Sequence, residues 1–271
     1  MICKIMPPSV KIAISGKGGV GKTTFCAIWA WLFAEDGLDV LAIDADSDPN
    51  LASALGVSVE ETPEPLIGMK QLIWDRTGAK PGSVGQYFKL NPKVSDLPER
   101  YWRKINGIKL LVLGSTTGAG AGCACPESAF LKALLTHTLL QRREAILVDL
   151  SAGLEFMGRA CVQGIDALVV VVEPGARSIE TAVNIARMAG QMGIDRVAAF
   201  ANKITDPAQI DIIRSQLDPI AVLGSFRLEP ALVQADLKRL PVMSTSEQLV
   251  GELQKAKDVM MNLFFKDRVS D

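Results

Sequence analysis

Apolar residues recur along this chain in short unbroken runs, separated by longer stretches with helical spacing. Val10-Lys11-Ile12-Ala13-Ile14-Ser15 opens the series as a strand. A glycine-rich turn follows, and Thr23 to Glu35 reads as a helix closed by Gly37. Val40-Leu41-Ala42-Ile43 is the next strand and ends in the acidic loop Asp44-Ala45-Asp46-Ser47-Asp48-Pro49. Further strands are expected at Lys109 to Leu113, Ala145 to Val148, Ala167 to Val172, Val197 to Ala201 and Ile220 to Leu223. Helical patterns fall at about Glu127 to Leu140, Ile179 to Met192, Pro207 to Gln216 and Glu247 to Phe265. The alternation predicts an α/β fold: a doubly wound, mostly parallel sheet with helices on both faces. Ala167 to Val172 is the purest apolar run. It is far shorter than the ~20 residues a membrane helix needs, and reads as a strand buried on both faces.

The stretch from about residue 57 to 107 interrupts this rhythm. It carries Pro63, Pro65, Pro81, Pro92 and Pro98 together with Trp74, Tyr87, Phe88, Tyr101 and Trp102. It is expected to be an insertion of short helices and loops packed on a single domain spanning 1–271, with its aromatics as local core.

Composition narrows the function classes. The chain has 271 residues, with 29 Lys plus Arg against 30 Asp plus Glu, for a net charge of −1. That balance argues against a generally basic nucleic-acid-binding surface. Mean hydropathy is +0.23, as buried parallel strands and a buried subunit interface would produce. Five cysteines and one histidine make no disulfide framework, so a reducing cytoplasm is expected. The start, Met1 to Pro8, lacks the long apolar core of a signal peptide.

Gly16-Lys17-Gly18-Gly19-Val20-Gly21-Lys22-Thr23 fits the phosphate-loop pattern G-x-x-x-x-G-K-[ST], between a strand and a helix as that loop requires. Its glycines let the backbone wrap a polyphosphate with N–H groups turned inward. The helix N-terminus adds positive partial charge. Lys22 is placed to reach the β- and γ-phosphates, Thr23 to ligate Mg²⁺, and Thr24 to bond the α-phosphate. Lys17 is a second lysine that a simple phosphate loop does not need. It sits outside the backbone cradle and is free to reach beyond its own nucleotide.

With Lys17 the chain resembles the deviant Walker A ATPases, which include MinD, ParA and the nitrogenase iron protein and share K-G-G-x-G-K-[ST]. The resemblance implies an ATP/ADP-dependent homodimer in which Lys17 crosses to the partner's ATP. It also implies that Asp46 orients the attacking water, with Asp48 and Asn50 as neighbours and Asp44 as a water-mediated Mg²⁺ contact. Leu147-Val148-Asp149 is similar to a Walker B strand, and Asp149 to Gly153 to the second switch. Asn202-Lys203 is similar to the adenine-contacting asparagine, since an amide offers a donor and an acceptor together.

Gly122-Cys123-Ala124-Cys125-Pro126 adds different chemistry. Alternate residues of an extended segment point to one side, so Cys123 and Cys125 can present two sulfurs together. The helix expected after Pro126 would favour thiolates. Two thiolates make half of a four-ligand zinc site. His137 lies about 18 Å further along a helix, and Cys3, Cys26 and Cys161 are isolated. A two-fold dimer supplies the missing pair, giving a four-thiolate site for Zn²⁺ or another thiophilic ion. A [4Fe–4S] cluster satisfies the same count, and metal-free buried or redox-active cysteines are the alternative.

The combination of the phosphate loop and Cys123-Ala124-Cys125-Pro126 resembles the CooC-type accessory ATPases. So do Asp44 to Asp48, Val172-Glu173-Pro174-Gly175-Ala176-Arg177-Ser178 and Ala235-Asp236-Leu237. The resemblance implies apo carbon monoxide dehydrogenase as client and nickel as cargo. The maturation ATPases of acetyl-CoA synthase share these motifs and imply that enzyme instead. Two other classes compete. A positioning or partition ATPase needs a basic amphipathic tail, and Leu249, Leu253, Ala256, Met260 and Leu263 have helical spacing that core packing also explains. An iron-protein-like reductase needs a second-switch cysteine, which Asp149 to Met157 lacks. No nucleic-acid or membrane partner is expected.

Overall fold

The computed structural model describes residues 8–46, 48–81, 86–114, 126, 129–130, 133–134, 143–151 and 164–268. Side-chain alternation builds its layers. In β1 (Val10–Ser15), Val10, Ile12 and Ile14 enter one apolar cluster and Ala13 the other, because successive strand residues point to opposite faces. The same division holds in β6 (Ala167–Val172), with Val169 and Val171 on one face and Leu168 and Val170 on the other. Both faces are covered, so the runs read as continuously apolar.

The remaining strands are β2 (Asp39–Ala45), β3 (Arg103–Ile105), β4 (Ile108–Val112), β5 (Glu144–Leu150), β7 (Val197–Ile204) and β8 (Ala221–Arg227). Their order is β3-β4-β2-β5-β1-β6-β7-β8. All described pairings are parallel except β3 with β4 at the edge. The expected α/β fold is therefore present. The antiparallel edge strand was not foreseen; it comes from the 57–107 stretch, where Ile105 turns through Asn106-Gly107 back to Ile108.

One face carries α1 (Lys22–Glu35) and α8 (Glu247–Phe265). Trp29 of α1 is fully buried, donates from Nε1 to the Leu253 carbonyl at 3.1 Å, and packs its ring 4.4 Å from Phe25. Leu249, Leu253, Ala256 and Met260 are buried in this cluster, so the tail stripe is core as far as Met260, whereas Leu263 is exposed. The other face carries α5 (Ala176–Met192) and α6 (Ala208–Leu217). Smaller helices are α2 (Leu51–Ala54), α3 (Lys70–Thr77), α4 (Leu97–Tyr101) and α7 (Pro230–Leu237). Sequence reading missed α7, whose start is marked by a Glu229 side chain accepting the Ala231 N–H and by Pro230 in its first turn. No helix among the described residues is long and apolar enough to cross a membrane.

β1 lies between β5 and β6, with the chain's earlier strands β2 and β4 to one side and β7 and β8 to the other. At such a reversal the loops leaving the strands' carboxyl ends splay apart, and the crevice between them is where α/β sheets bind ligands. The glycine-rich loop leaves β1 at that point.

Candidate nucleotide site

Residues 16–21 connect β1 to α1 through three glycines with positive φ: Gly16 at 145°, Gly19 at 79° and Gly21 at 98°. A Cβ on Gly16 would fall 2.3 Å from the Val171 carbonyl oxygen of β6, and one on Gly21 would fall 2.5 Å from Asn202 Nδ2. The loop is thus pressed against the sheet at both ends, where only glycine fits. Nothing stands within 4 Å of a Cβ on Gly18 or Gly19, which face open space. Val20 is buried and pins the loop from below. Lys22 is only 6% exposed, and its ammonium curls back to the Lys17 carbonyl at 3.4 Å.

A cleft of about 530 Å³ opens over this loop. Gly18, Gly19, Gly21, Lys22, Thr23, Thr24, Asp46 and Asn202 all line it. The opposite wall comes from the end of β8 and from α7, through Arg227, Leu228, Leu232 and Val233. Sequence reading missed this wall, although Leu228-Glu229-Pro230 carried a helix-start signal. The volume suits a nucleotide-sized ligand.

Beneath the cleft, Asp44 and Asp149 stand at the same register on adjacent β2 and β5. Both are fully buried. Asp44 accepts the Asp46 N–H at 3.1 Å and the Leu51 N–H at 2.8 Å. Its carboxylate therefore shapes the acidic loop and satisfies the start of α2. Asn50 stands at the N-cap of α2 and makes no side-chain capping hydrogen bond. Burial raises Asp44 to about 6, against its backbone hydrogen bonds.

Asp149 differs. Neither of its oxygens closes a hydrogen bond among the described residues. Burial, then the Asp44 charge, raise it to about 8, with Thr23 and Lys22 pulling the other way. A buried, unpartnered carboxylate beside the Thr23 hydroxyl is a donor set suited to Mg²⁺, which takes few protein oxygens and completes its shell with phosphate and water. Among the described residues no three His, Cys, Asp or Glu form another metal cluster.

The raised carboxyl gives a pH prediction. The neutral form's advantage is fully present below the unfolded value near 4 and is lost as pH rises through about 8. Asp149→Asn removes that loss. In nucleotide-free protein its Tm should match wild type near pH 4 and exceed it by about 2–8 °C near pH 8.5. Thermal melts at both pH values check this; an equal difference at both would contradict it.

Asn202 and Lys203 lie inside β7, not just beyond a strand as expected, because β7 runs on to Ile204. Pairing with β8 is irregular here, and Lys203 has φ of 58°. That break in alternation lets two successive side chains reach the same loop. Asn202 Nδ2 donates to the Val20 carbonyl at 2.9 Å, and Lys203 Nζ donates to the Gly19 carbonyl at 2.5 Å. Lys17 turns to Glu173, 3.3 Å away. Cys123, Cys125, Cys3, Cys161, His137, Ser47 and second-switch residues 152–157 lie outside the described residues, as does most of the Glu127–Leu140 helix. Cys26 is buried core.

Residues 11–242 match the CobQ/CobB/MinD/ParA nucleotide binding domain. The carbon monoxide dehydrogenase accessory protein CooC of Rhodospirillum rubrum is 43% identical over 229 residues, covering 84% of this chain and 87% of that protein. An uncharacterized ATP-binding protein of Methanocaldococcus jannaschii is 37% identical, covering 94% of this chain and 98% of that one. In fold, the chain matches MinD of Pyrococcus horikoshii, solved with Mg-ADP, at TM-score 0.67 and 18% identity over 96% of this chain and 97% of that one. The chain belongs to the CobQ/CobB/MinD/ParA family of P-loop ATPases and is of the CooC type within it.

Proposed function

We propose that this chain is a single-domain accessory ATPase of carbon monoxide dehydrogenase maturation, working as a homodimer in a reducing cytoplasm. The observation that carries this reading is the 43% identity to CooC across 84% of the chain, joined to a nucleotide cleft of the same family. The acetyl-CoA synthase apo-enzyme is the alternative client.

In this reading the backbone N–H groups of the phosphate loop receive the phosphates. Lys22 leaves the Lys17 carbonyl for the β- and γ-phosphates, Thr24 takes the α-phosphate, and Asn202 meets the adenine edge. Thr23 and Asp149 hold Mg²⁺, which neutralises charge on the phosphates when bound. Asp46, at the mouth of the cleft, orients the attacking water. Lys17 crosses to the partner's nucleotide, so ATP favours one dimer geometry and ADP another. Cys123 and Cys125 of both chains hold the nickel cargo or Zn²⁺ between them, and subunit motion changes its affinity.

The test is reconstitution. Apo carbon monoxide dehydrogenase with limiting Ni²⁺ should gain activity at least about tenfold faster with this chain and MgATP than with the chain and a non-hydrolysable analogue. Equal rates, alongside measurable ATP hydrolysis, would reject this client. Acceleration of acetyl-CoA synthase alone would select the alternative.

A further inference from the structure

Glu173 sits at the carboxyl end of β6, between two lysines. Its Oε1 is 3.3 Å from Lys17 Nζ and its Oε2 is 3.6 Å from Lys203 Nζ. Lys203 in turn donates to the Gly19 carbonyl, in the middle of the phosphate loop. Glu173 is itself held in place: its N–H donates to the Ser178 hydroxyl at 3.1 Å, and Ser178 is buried in the first turn of α5. Lys17 is 41% exposed, so it has room to leave. Lys203 reaches this position only through a left-handed backbone, which is costly for a lysine and is kept where the surroundings require it.

We infer that Glu173 is a clasp, a positioning residue that holds Lys17 on its own subunit until nucleotide phosphate replaces the carboxylate, with Lys203 tying the clasp to the phosphate loop. This rests on the reading of Lys17 as a phosphate ligand in the ATP-bound dimer. A lysine ammonium is a compact charge on a flexible stem and exchanges one anion for another without rebuilding the site. A part-exposed ion pair in water has the right strength for this. It is strong enough to bias the resting position, and weak enough for a triphosphate to outbid. Lys203 shares the same carboxylate, so withdrawing Lys17 leaves Glu173 still neutralised. ATP arrival then need not strand a charge.

The experiment is a double-mutant cycle on the full chain, with Glu173→Gln, Lys17→Gln and both together. The probe is a fluorescent non-hydrolysable ATP analogue with Mg²⁺. Glu173→Gln should tighten binding about two- to fivefold when Lys17 is present, and should change nothing in the Lys17→Gln background. A second reading, lysine-ammonium NMR of the nucleotide-free chain, should show a Lys17 signal that loses its hydrogen-bond shift in Glu173→Gln. A general field effect would tighten binding equally in both backgrounds, and that result, or weaker binding in Glu173→Gln, overturns the clasp. Sedimentation with the analogue separates the two levels of the account. If Lys17→Gln alone leaves analogue affinity and dimerisation at wild-type values, the reading of Lys17 fails and takes the clasp with it. If Lys17→Gln lowers both while the cycle shows no coupling, only the clasp fails.

Discussion

Replacing Lys22 with glutamine should lower the ATP hydrolysis rate by about 10²–10³-fold. Lys22 is nearly buried at the base of the loop, and its ammonium is held on the Lys17 carbonyl at 3.4 Å. Most of its interaction with triphosphate is therefore still to be made. Charge on the phosphoryl oxygens grows toward the transition state, and a fixed cation there acts in a partly dry site where electrostatics are strong. Glutamine keeps a donor for the Lys17 carbonyl and fits the same space, so the variant should fold with a Tm close to wild type. Phosphate release with saturating MgATP, together with a thermal melt, checks both halves. Undiminished hydrolysis would remove Lys22 from the reading. Lost hydrolysis with a lost fold would show only that the loop needs the lysine to form.

The second large effect concerns the cysteines. The double substitution Cys123→Ser with Cys125→Ser should reduce bound thiophilic metal from about one ion per pair of chains to none, because a four-thiolate site keeps no soft ligand after the change. Nucleotide binding should survive, since the described lining of the cleft comes from 18–24, 46–54, 202–203 and 227–242. Metal analysis of anaerobically purified protein gives the first quantity and analogue titration the second. Metal retained in the double variant would place the site elsewhere. Loss of both metal and nucleotide binding would contradict the separation of the two sites.

The nucleotide site was legible in the sequence to the extent that its chemistry is local. Gly16 to Thr24 are contiguous, and their strand-loop-helix context could be read from spacing alone. Asp149 could be singled out because it ends an apolar run; in the folded chain its oxygens are buried and close no hydrogen bond among the described residues. The contacts that converge on Asp44 were not legible, because they depend on tertiary geometry. Only in the folded chain do the Asp46 and Leu51 N–H groups converge on its carboxylate. Glu173 lies in the Val172–Ser178 motif, and nothing in that motif says that its carboxylate meets Lys17 across 156 residues. The far wall of the cleft was missed for a related reason. α7 is short and exposes Val233 and Leu237, so it lacks the apolar periodicity that marks a core helix. The sheet itself was readable because strands buried on both faces leave continuous apolar runs, whereas β3 has only three residues, none of them buried.

The most direct test of the central claim is anaerobic titration of the wild-type protein with Ni²⁺ and Zn²⁺, once with ADP and once with a non-hydrolysable ATP analogue. Coupling between nucleotide and cargo predicts about one ion per dimer and a metal affinity that differs between the two states by about 5–150-fold. Equal metal affinity in the ADP and ATP-analogue states would contradict it.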